Sequence, residues 1–200
     1  MERRHETLRL YESARVRIFL GEKGITVAWR FAGANRTPEA LRRNPYGGLP
    51  VLELDDGTCI AESVAICRYF EDLHHQPALM GSTPKTAPSS RCGTAAWSWF
   101  CSLISAAICS TPARSSRPAS SRCRRWPRWR ASEAALAQMR MIDGFIAGRR
   151  FIAGERYTIA DITAMAALGL GAVVGLTVDS GLANLTHWYG EVSARPSARA

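Results

Sequence analysis

Six cysteines and a cluster of arginines and tryptophans are the side chains of this 200-residue sequence whose types suggest chemistry most directly. Thiolates can ligate zinc or cross-link, guanidinium groups can neutralise phosphates, and indoles can stack on bases. Spacing narrows those options. Cys92, Cys101, Cys109 and Cys123 stand nine, eight and fourteen residues apart without a C-x-x-C pair, so no metal site is expected. Cys59 and Cys67 lie in ordinary periodic sequence and read as small buried thiols, which fits a reducing compartment.

The formal net charge of +9 points at first to nucleic acid or an anionic membrane. Its position changes that meaning. Between Thr86 and Arg130 stand eight arginines and no Asp or Glu; subtracting them from the chain's 26 basic side chains leaves 18, against 17 acidic ones. The remaining 155 residues are therefore close to neutral. The same segment holds Trp97, Trp99, Trp126 and Trp129 and is crowded with serine and proline. Nucleic-acid binding through it is one function the composition allows. No recognisable binding fold surrounds these residues, however, and a nucleic-acid partner is not the expectation.

With 46% hydrophobic and 22% charged residues, the sequence reads as globular. The charged start Met-Glu-Arg-Arg-His-Glu leads into no apolar signal region, and the longest largely apolar stretch, Ala95 to Cys109, falls short of the roughly 20 residues a membrane span needs. A cytoplasmic protein with no membrane partner is expected.

The elements that must position any site follow from hydropathy and turn chemistry. Leu8 to Tyr11 predicts a strand, and Val16, Phe19 and Leu20 predict a helix stopping at Gly24. Ile25 to Phe31 predicts a second strand. Thr37-Pro38-Glu39 opens a short helical turn with Thr37 as N-cap and Pro38 in first position. Leu49 to Leu54 reads as a strand entered through Pro50, and Asp55-Asp56-Gly57 as a hairpin turn into Cys59-Ile60. Glu62-Ser63 then precedes a helix with Ile66, Phe70 and Leu73 on one stripe. The order is β-α-β-α-β-β-α. Beyond it the sequence reads as helical: Glu133 to Ile146, a helix capped by Thr158 with Asp161 at the third position and Tyr157 and Ile162 as a hydrophobic staple, and Leu185 to Ala194. A boundary near Gly81 to Pro84 separates an α/β domain (1–80) from an all-helical one (85–200).

Two motifs in that order carry a resemblance. NPYGGLPVLELDDGTCIAESVAICRYFEDL resembles the glutathione-binding half of cytosolic glutathione transferases, and RRFIAGERYTIADITAMAAL followed by NLTHWYGEVSARPS resembles their helical half. The resemblance implies a thioredoxin-like N-terminal domain. Pro50 matches the family's cis-proline, whose turn would let the backbone of Leu49 pair with the cysteinyl part of glutathione as an added strand does; a trans proline opening an edge strand is the alternative. Glu62-Ser63 matches the acidic-serine pair, Ser63 for the γ-glutamyl carboxylate and Glu62 for the ammonium group. Read alone, the same pair is a helix cap and a solvated acid. Thr158 and Asp161 match a folding motif with a structural role.

Two departures from the family stand out, beside a smaller one at Gly48. The loop that carries the sulfur-contacting residue is reduced to Glu12-Ser13-Ala14-Arg15, leaving Ser13, or else Tyr11, to contact the thiolate; either can equally be a plain loop or strand residue. Lowering a thiol by two pKa units takes about 2.7 kcal/mol of preferential thiolate stabilisation, within reach of one hydroxyl and a helix N-terminus together. Gly48 also offers no side chain where many members have Lys or Gln. The second departure is the segment 86 to about 130, which lacks a sustained apolar stripe where the family has long helices. Ser89 to Ser102 can be encoded so that a reading begun at the third base gives IEMWNRRMELVLF, and its extension through Ser110 gives AHLGRDLQ, which looks like the family's first long helix. A single-base insertion or deletion near Lys85, compensated near Arg130, or genuine divergence are the two explanations.

The resemblance implies a homodimeric enzyme joining the thiolate of glutathione, its co-substrate, to a small hydrophobic electrophile, with Leu49, Pro50, Glu62 and Ser63 holding the tripeptide. A glutathione-transferase-like binding or scaffold protein without turnover is the competing reading.

Overall fold

The computed structural model describes residues 3–11, 13–30, 37–83, 86–109, 128–173 and 175–200, with side chains at 13–28, 37–83, 86–98, 132–173 and 175–200. The chain forms two compact units. The first is Met1–Ser82 together with Arg195–Ala200, and the second is Thr83–Ala194.

The first unit follows the expected order: β1 (Arg3–Tyr11), α1 (Ala14–Lys23), β2 (Ile25–Arg30), α2 (Pro38–Arg43), β3 (Val51–Glu53), β4 (Cys59–Ala61) and α3 (Ser63–Leu73). The strands make one mixed sheet in the order β2-β1-β3-β4, with β1 parallel to β2 and the other neighbours antiparallel. Strand β1 begins five residues earlier than hydropathy suggests. Arg3, Arg4 and His5 pair with Ile25, Thr26 and Val27, and after an irregularity Arg9–Tyr11 pair with Ala28–Arg30. Backbone pairing alone extends the strand through residues whose side chains give no strand signal. Phe31, the expected end of β2, lies outside the described residues.

Local chemistry ends the elements as expected. Gly24 takes the left-handed conformation (φ 61°, ψ 37°) that closes α1, and Thr37 Oγ1 accepts the Ala40 amide at 3.1 Å to open α2. Leu49 and Pro50 precede β3 instead of belonging to it, because proline has no N–H to give the ladder.

Helices α1 and α3 run side by side, joined by polar contacts at both ends. Arg15 Nη1 donates to Ser63 Oγ at 2.6 Å, and eight residues further along each helix Lys23 Nζ meets Glu71 Oε2 at 2.8 Å. Lys23 and Glu71 are buried, and the ammonium also donates to the carbonyls of His74 (2.7 Å) and Pro77 (2.8 Å) while Glu71 accepts the Met80 amide (3.2 Å). This saturation of donors lets a charged pair sit in the core. Between the two ends Val16, Phe19, Ile66, Cys67 and Phe70 are buried. The last residues of the chain pack on the same helix. Glu22 accepts both Arg195 Nε (2.8 Å) and Nη2 (2.7 Å) as well as the Ser197 hydroxyl. Burial pushes the Glu22 carboxyl up, but these donors and the Arg195 charge outweigh it and hold the group below its ordinary value.

The second unit contains α4 (Thr86–Cys109), α5 (Arg128–Ile146), α6 (Ile159–Val173) and α7 (Ala183–Ser193). Helix α6 is apolar on nearly every side and buried over most of its length. Helix α4 packs without a sustained apolar stripe. Its buried face is Ser90, Thr94 and Trp97, with Gly93 between them, at helical spacing. Hydropathy misses such a face because Trp97 is its only large apolar member and the others are small or hydroxylated. The hydroxyls are satisfied inside the helix, Ser90 Oγ on the Ala87 carbonyl (3.0 Å) and Thr94 Oγ1 on the Ser90 carbonyl (2.8 Å). A Cβ at Gly93 would come within 2.7 Å of Ala160 Cβ and Ile152 Cγ2, so glycine is what allows α4 to approach α6 so closely. Trp97 stacks on Trp188, with centroids 6.2 Å apart and planes 19° from parallel. The rest of the anomalous segment, 110–127, lies outside the described residues.

Asp161 ties this unit together. Its Oδ1 accepts the Ile152 amide (2.9 Å) and the Trp188 indole N–H (3.0 Å), and its Oδ2 accepts the amide (2.9 Å) and hydroxyl (3.2 Å) of Thr158. Because the Thr158 hydroxyl gives its hydrogen to Asp161, its oxygen faces the Ala160 amide (3.3 Å), one residue earlier than in the expected capping box. Tyr157 and Ile162 are both buried, and the Tyr157 ring meets Phe151 edge-on at 5.7 Å. Burial raises the Asp161 carboxyl, against the pull of the four donors. Asp161→Ala would strand the Ile152, Thr158 and Trp188 N–H groups, and at about 1 kcal/mol or more for each the loss is expected to reach at least ~3 kcal/mol in chemical denaturation.

Candidate functional site

One row of the sheet determines what can meet at its end. Tyr11 of β1 pairs with Val51 of β3, and Val51 pairs with Ala61 of β4. The chain continues from this row to Ser13, enters it from Leu49-Pro50, and leaves it to Glu62-Ser63. Five of the six sequence-derived site residues therefore gather just beyond one end of the sheet, and the sixth, Tyr11, stands in the row itself. Its backbone also pairs with Arg30, and its side chain lies outside the described residues.

Each position has a local cause. The Leu49–Pro50 peptide bond is cis, with Pro50 buried and Leu49 37% exposed. The preceding loop is held by buried Asn44, whose Nδ2 donates to the Gly48 carbonyl (2.9 Å), whose Oδ1 accepts the Tyr46 amide (3.1 Å), and whose carbonyl accepts the Gly47 amide (2.8 Å). Sequence reasoning treated Asn44 only as a loop residue, although Asn-Pro is a turn signal that marks such a role.

Ser13 is the N-cap of α1 in extended conformation, its carbonyl accepting the Arg17 amide at 3.0 Å; its hydroxyl makes no capping hydrogen bond. Helix α1 already includes Ala14 and Arg15, which the sequence placed in the loop. Glu62 is the N-cap of α3 and has φ 73°, ψ 123°, the one non-glycine residue with positive φ among those described. Such a conformation is costly for a side chain with a Cβ, and it turns the exposed Glu62 out of the strand immediately before the helix begins. Ser63 is thereby the first helical residue, not the cap. Its hydroxyl accepts Arg15 Nη1, so the simple capping alternative does not describe it. Arg15 is the site neighbour that sequence reasoning missed, since nothing in a four-residue loop reading signals a contact 48 positions away.

Chemically, this end of the sheet presents a partly buried guanidinium and hydroxyl at two helix N-termini, with a carboxylate next to them. It is suited to an anionic group beside a cationic one. Of the two cysteines expected to be buried thiols, Cys67 is buried, whereas Cys59, paired with Glu53 at the far end of β3 and β4, is only half-buried; desolvation raises both thiols, Cys67 against the opposing pull of the Arg15 charge. Among the described residues no cluster of His, Cys, Asp and Glu could hold a metal ion, and no helix is long and apolar enough to cross a membrane.

A thioredoxin-like domain with a cis-proline before its third strand, followed by a helical domain, defines the class. The glutathione S-transferase N-terminal domain family matches residues 13–73, and the corresponding C-terminal domain family matches 129–196. Glutathione S-transferase 2 of Saccharomyces cerevisiae is 34% identical over 194 residues, covering 93% of this chain and 83% of that protein. The crystal structure of Gtt2 from the same organism superposes with a TM-score of 0.84 at 30% identity, covering 96% and 98% of the two chains. A glutathione S-transferase from Methylobacterium radiotolerans, in complex with glutathione sulfonate, superposes at 0.76 with 25% identity, covering 96% and 92%. The chain belongs to the glutathione S-transferase family.

Proposed function

We propose that the protein is a homodimeric glutathione transferase that adds the thiolate of glutathione to a small hydrophobic electrophile in the cytoplasm. The observation that carries this reading is the Tyr11–Val51–Ala61 row, which brings the loop of Ser13, the Leu49-Pro50 turn and the Glu62-Ser63 corner to one end of the sheet. Leu49 lies just outside the ladder, so its backbone can receive the cysteinyl part of the peptide as an added strand. Ser63 takes the γ-glutamyl carboxylate and Glu62 the ammonium group. Ser13, whose hydroxyl is not engaged in capping, takes the sulfur, with Tyr11 as the other candidate.

Immobilised glutathione and a chlorinated aromatic electrophile test the reading. Retention with turnover is expected. Retention without turnover identifies the scaffold alternative, and salt-sensitive nucleic-acid binding without retention identifies the Arg/Trp segment as the functional element. Ser63→Ala is expected to weaken glutathione by about 1–2 kcal/mol in calorimetry. An unchanged affinity reduces Ser63 to a structural residue.

We also propose that residues 86 to about 130 are translated out of frame. Support comes from the eight arginines without an acid and from the family matches, which stop at residue 73 and resume at residue 129. Resequencing the coding DNA is expected to reveal two compensating single-base changes. A confirmed unbroken frame leaves genuine divergence.

A further inference from the structure

Helix α5 carries apolar side chains on two opposite sides, and the second unit buries only one of them. Ala135, Met139, Ile142 and Ile146 are buried. Two positions on, and so on the other side of the helix, Ala137, Met141 and Phe145 follow one another at four-residue spacing; Ala137 is exposed, and Met141 and Phe145 are 61% and 52% exposed. We propose that this stripe is a self-complementary surface on which a second copy of the chain docks, α5 against α5 and antiparallel, with the two-fold axis at Met141. The inference rests on the homodimer of the proposed function and gives that dimer a surface.

Shape supports the two-fold. Residues four apart form a ridge along a helix, and such ridges interlock when two helices cross. Along this ridge size is reversed about Met141, with small Ala137 one turn before it and large Phe145 one turn after it. An antiparallel pair centred on Met141 sets the phenylalanine of each copy against the alanine of the other, while the two methionines, flexible enough to fill an irregular gap, meet at the axis. A parallel pair would set ring against ring and leave a void at the alanines. Gly144 lies exposed beside the stripe, and among the described residues a Cβ there would meet no atom within 4 Å. The second unit itself therefore does not require glycine at a helical position where alanine is the stronger helix former.

Charge selects the occupant. Glu133 stands exposed one turn before Ala137, and at the other end exposed Arg149 folds back so that its guanidinium lies 4.4 Å from the Phe145 ring centroid. Glu133 and Arg149 are each eight residues from Met141, so the two-fold brings the acid of each copy to the arginine of the other, two ion pairs in one dimer. An anionic membrane or an acidic protein would instead meet Glu133 at one end of the stripe. Arg140, exposed next to Met141, can lay its stem on the apolar surface and keep its charge in water at the rim.

Sedimentation velocity on the full chain over a concentration series tests the surface. The wild type is expected to dimerise, and Met141→Glu, which brings two like charges together at the axis, is expected to weaken the dimer by about 100-fold or more. Glu133→Arg and Arg149→Glu are each expected to weaken it about tenfold, and the two together to return it to within about threefold of the wild type, because the pairs re-form with their signs exchanged. All three side chains are exposed, so their replacement leaves the fold of the unit intact and changes association alone. A dimer indifferent to Met141→Glu and to both charge reversals overturns this surface and leaves the homodimer reading intact. Single reversals that weaken the dimer, with no recovery in the double variant, overturn the antiparallel pairing. A wild type that stays monomeric at about 100 μM overturns the homodimer reading and this surface together. Pelleting of that monomer with phosphatidylserine vesicles would give the stripe to a membrane.

Discussion

Strand β3 is three residues long, and the candidate site depends on its being hydrogen-bonded on both sides. Pairing with β1 on one edge and β4 on the other sets the register in which three distant segments end at the same level. A slip of one residue would move a loop by about 3.3 Å and turn its neighbours to the opposite face. Val51 and Leu52 are buried on opposite faces of the strand, and Glu53 is held by Arg43 at 2.9 Å, which together oppose that slip.

Each unit then uses a buried polar group to fix how helices meet. In the first, Lys23 and Glu71 lock one end of α1 to the end of α3, Arg15 and Ser63 meet at the other, and Glu22 binds the returning Arg195–Ala200 segment. In the second, Asp161 serves the start of α6, the Ile152 amide and the α7 indole at once, while Asp143 of α5 accepts the Leu185 amide at 2.8 Å and so caps α7 from outside its own sequence. Apolar burial supplies most of the stabilisation, and these satisfied polar contacts select one arrangement among many that would bury similar area.

The order of elements in the first unit was legible in the sequence because strands, turns and caps there use short-range chemistry: Gly24, Thr37-Pro38 and Asp55-Asp56-Gly57 each act on their immediate neighbours. Thr158 and Asp161 were legible for the same reason, although the indole of Trp188 on Asp161 was not. What escaped depends on contacts between distant residues. The charged start of β1 becomes a strand through pairing with β2, and the buried face of α4 is made of Ser90, Thr94 and Trp97, residues that hydropathy does not group. Ser13, Leu49, Pro50, Glu62 and Ser63 could be named only through resemblance to the family. The φ of Glu62, the contact of Arg15 with Ser63 and the support of the Leu49 loop by Asn44 required the structure.

Glutathione is proposed to bind at the end of the sheet beyond the Tyr11–Val51–Ala61 row. Backbone amide resonances followed by NMR during a glutathione titration test it most directly. The Leu49 and Ser63 amides are expected to shift together with one common affinity, while the Thr158 and Asp161 amides in the second unit remain in place. Saturation of the protein with Leu49 and Ser63 unmoved, and the shifts gathered elsewhere, would contradict it.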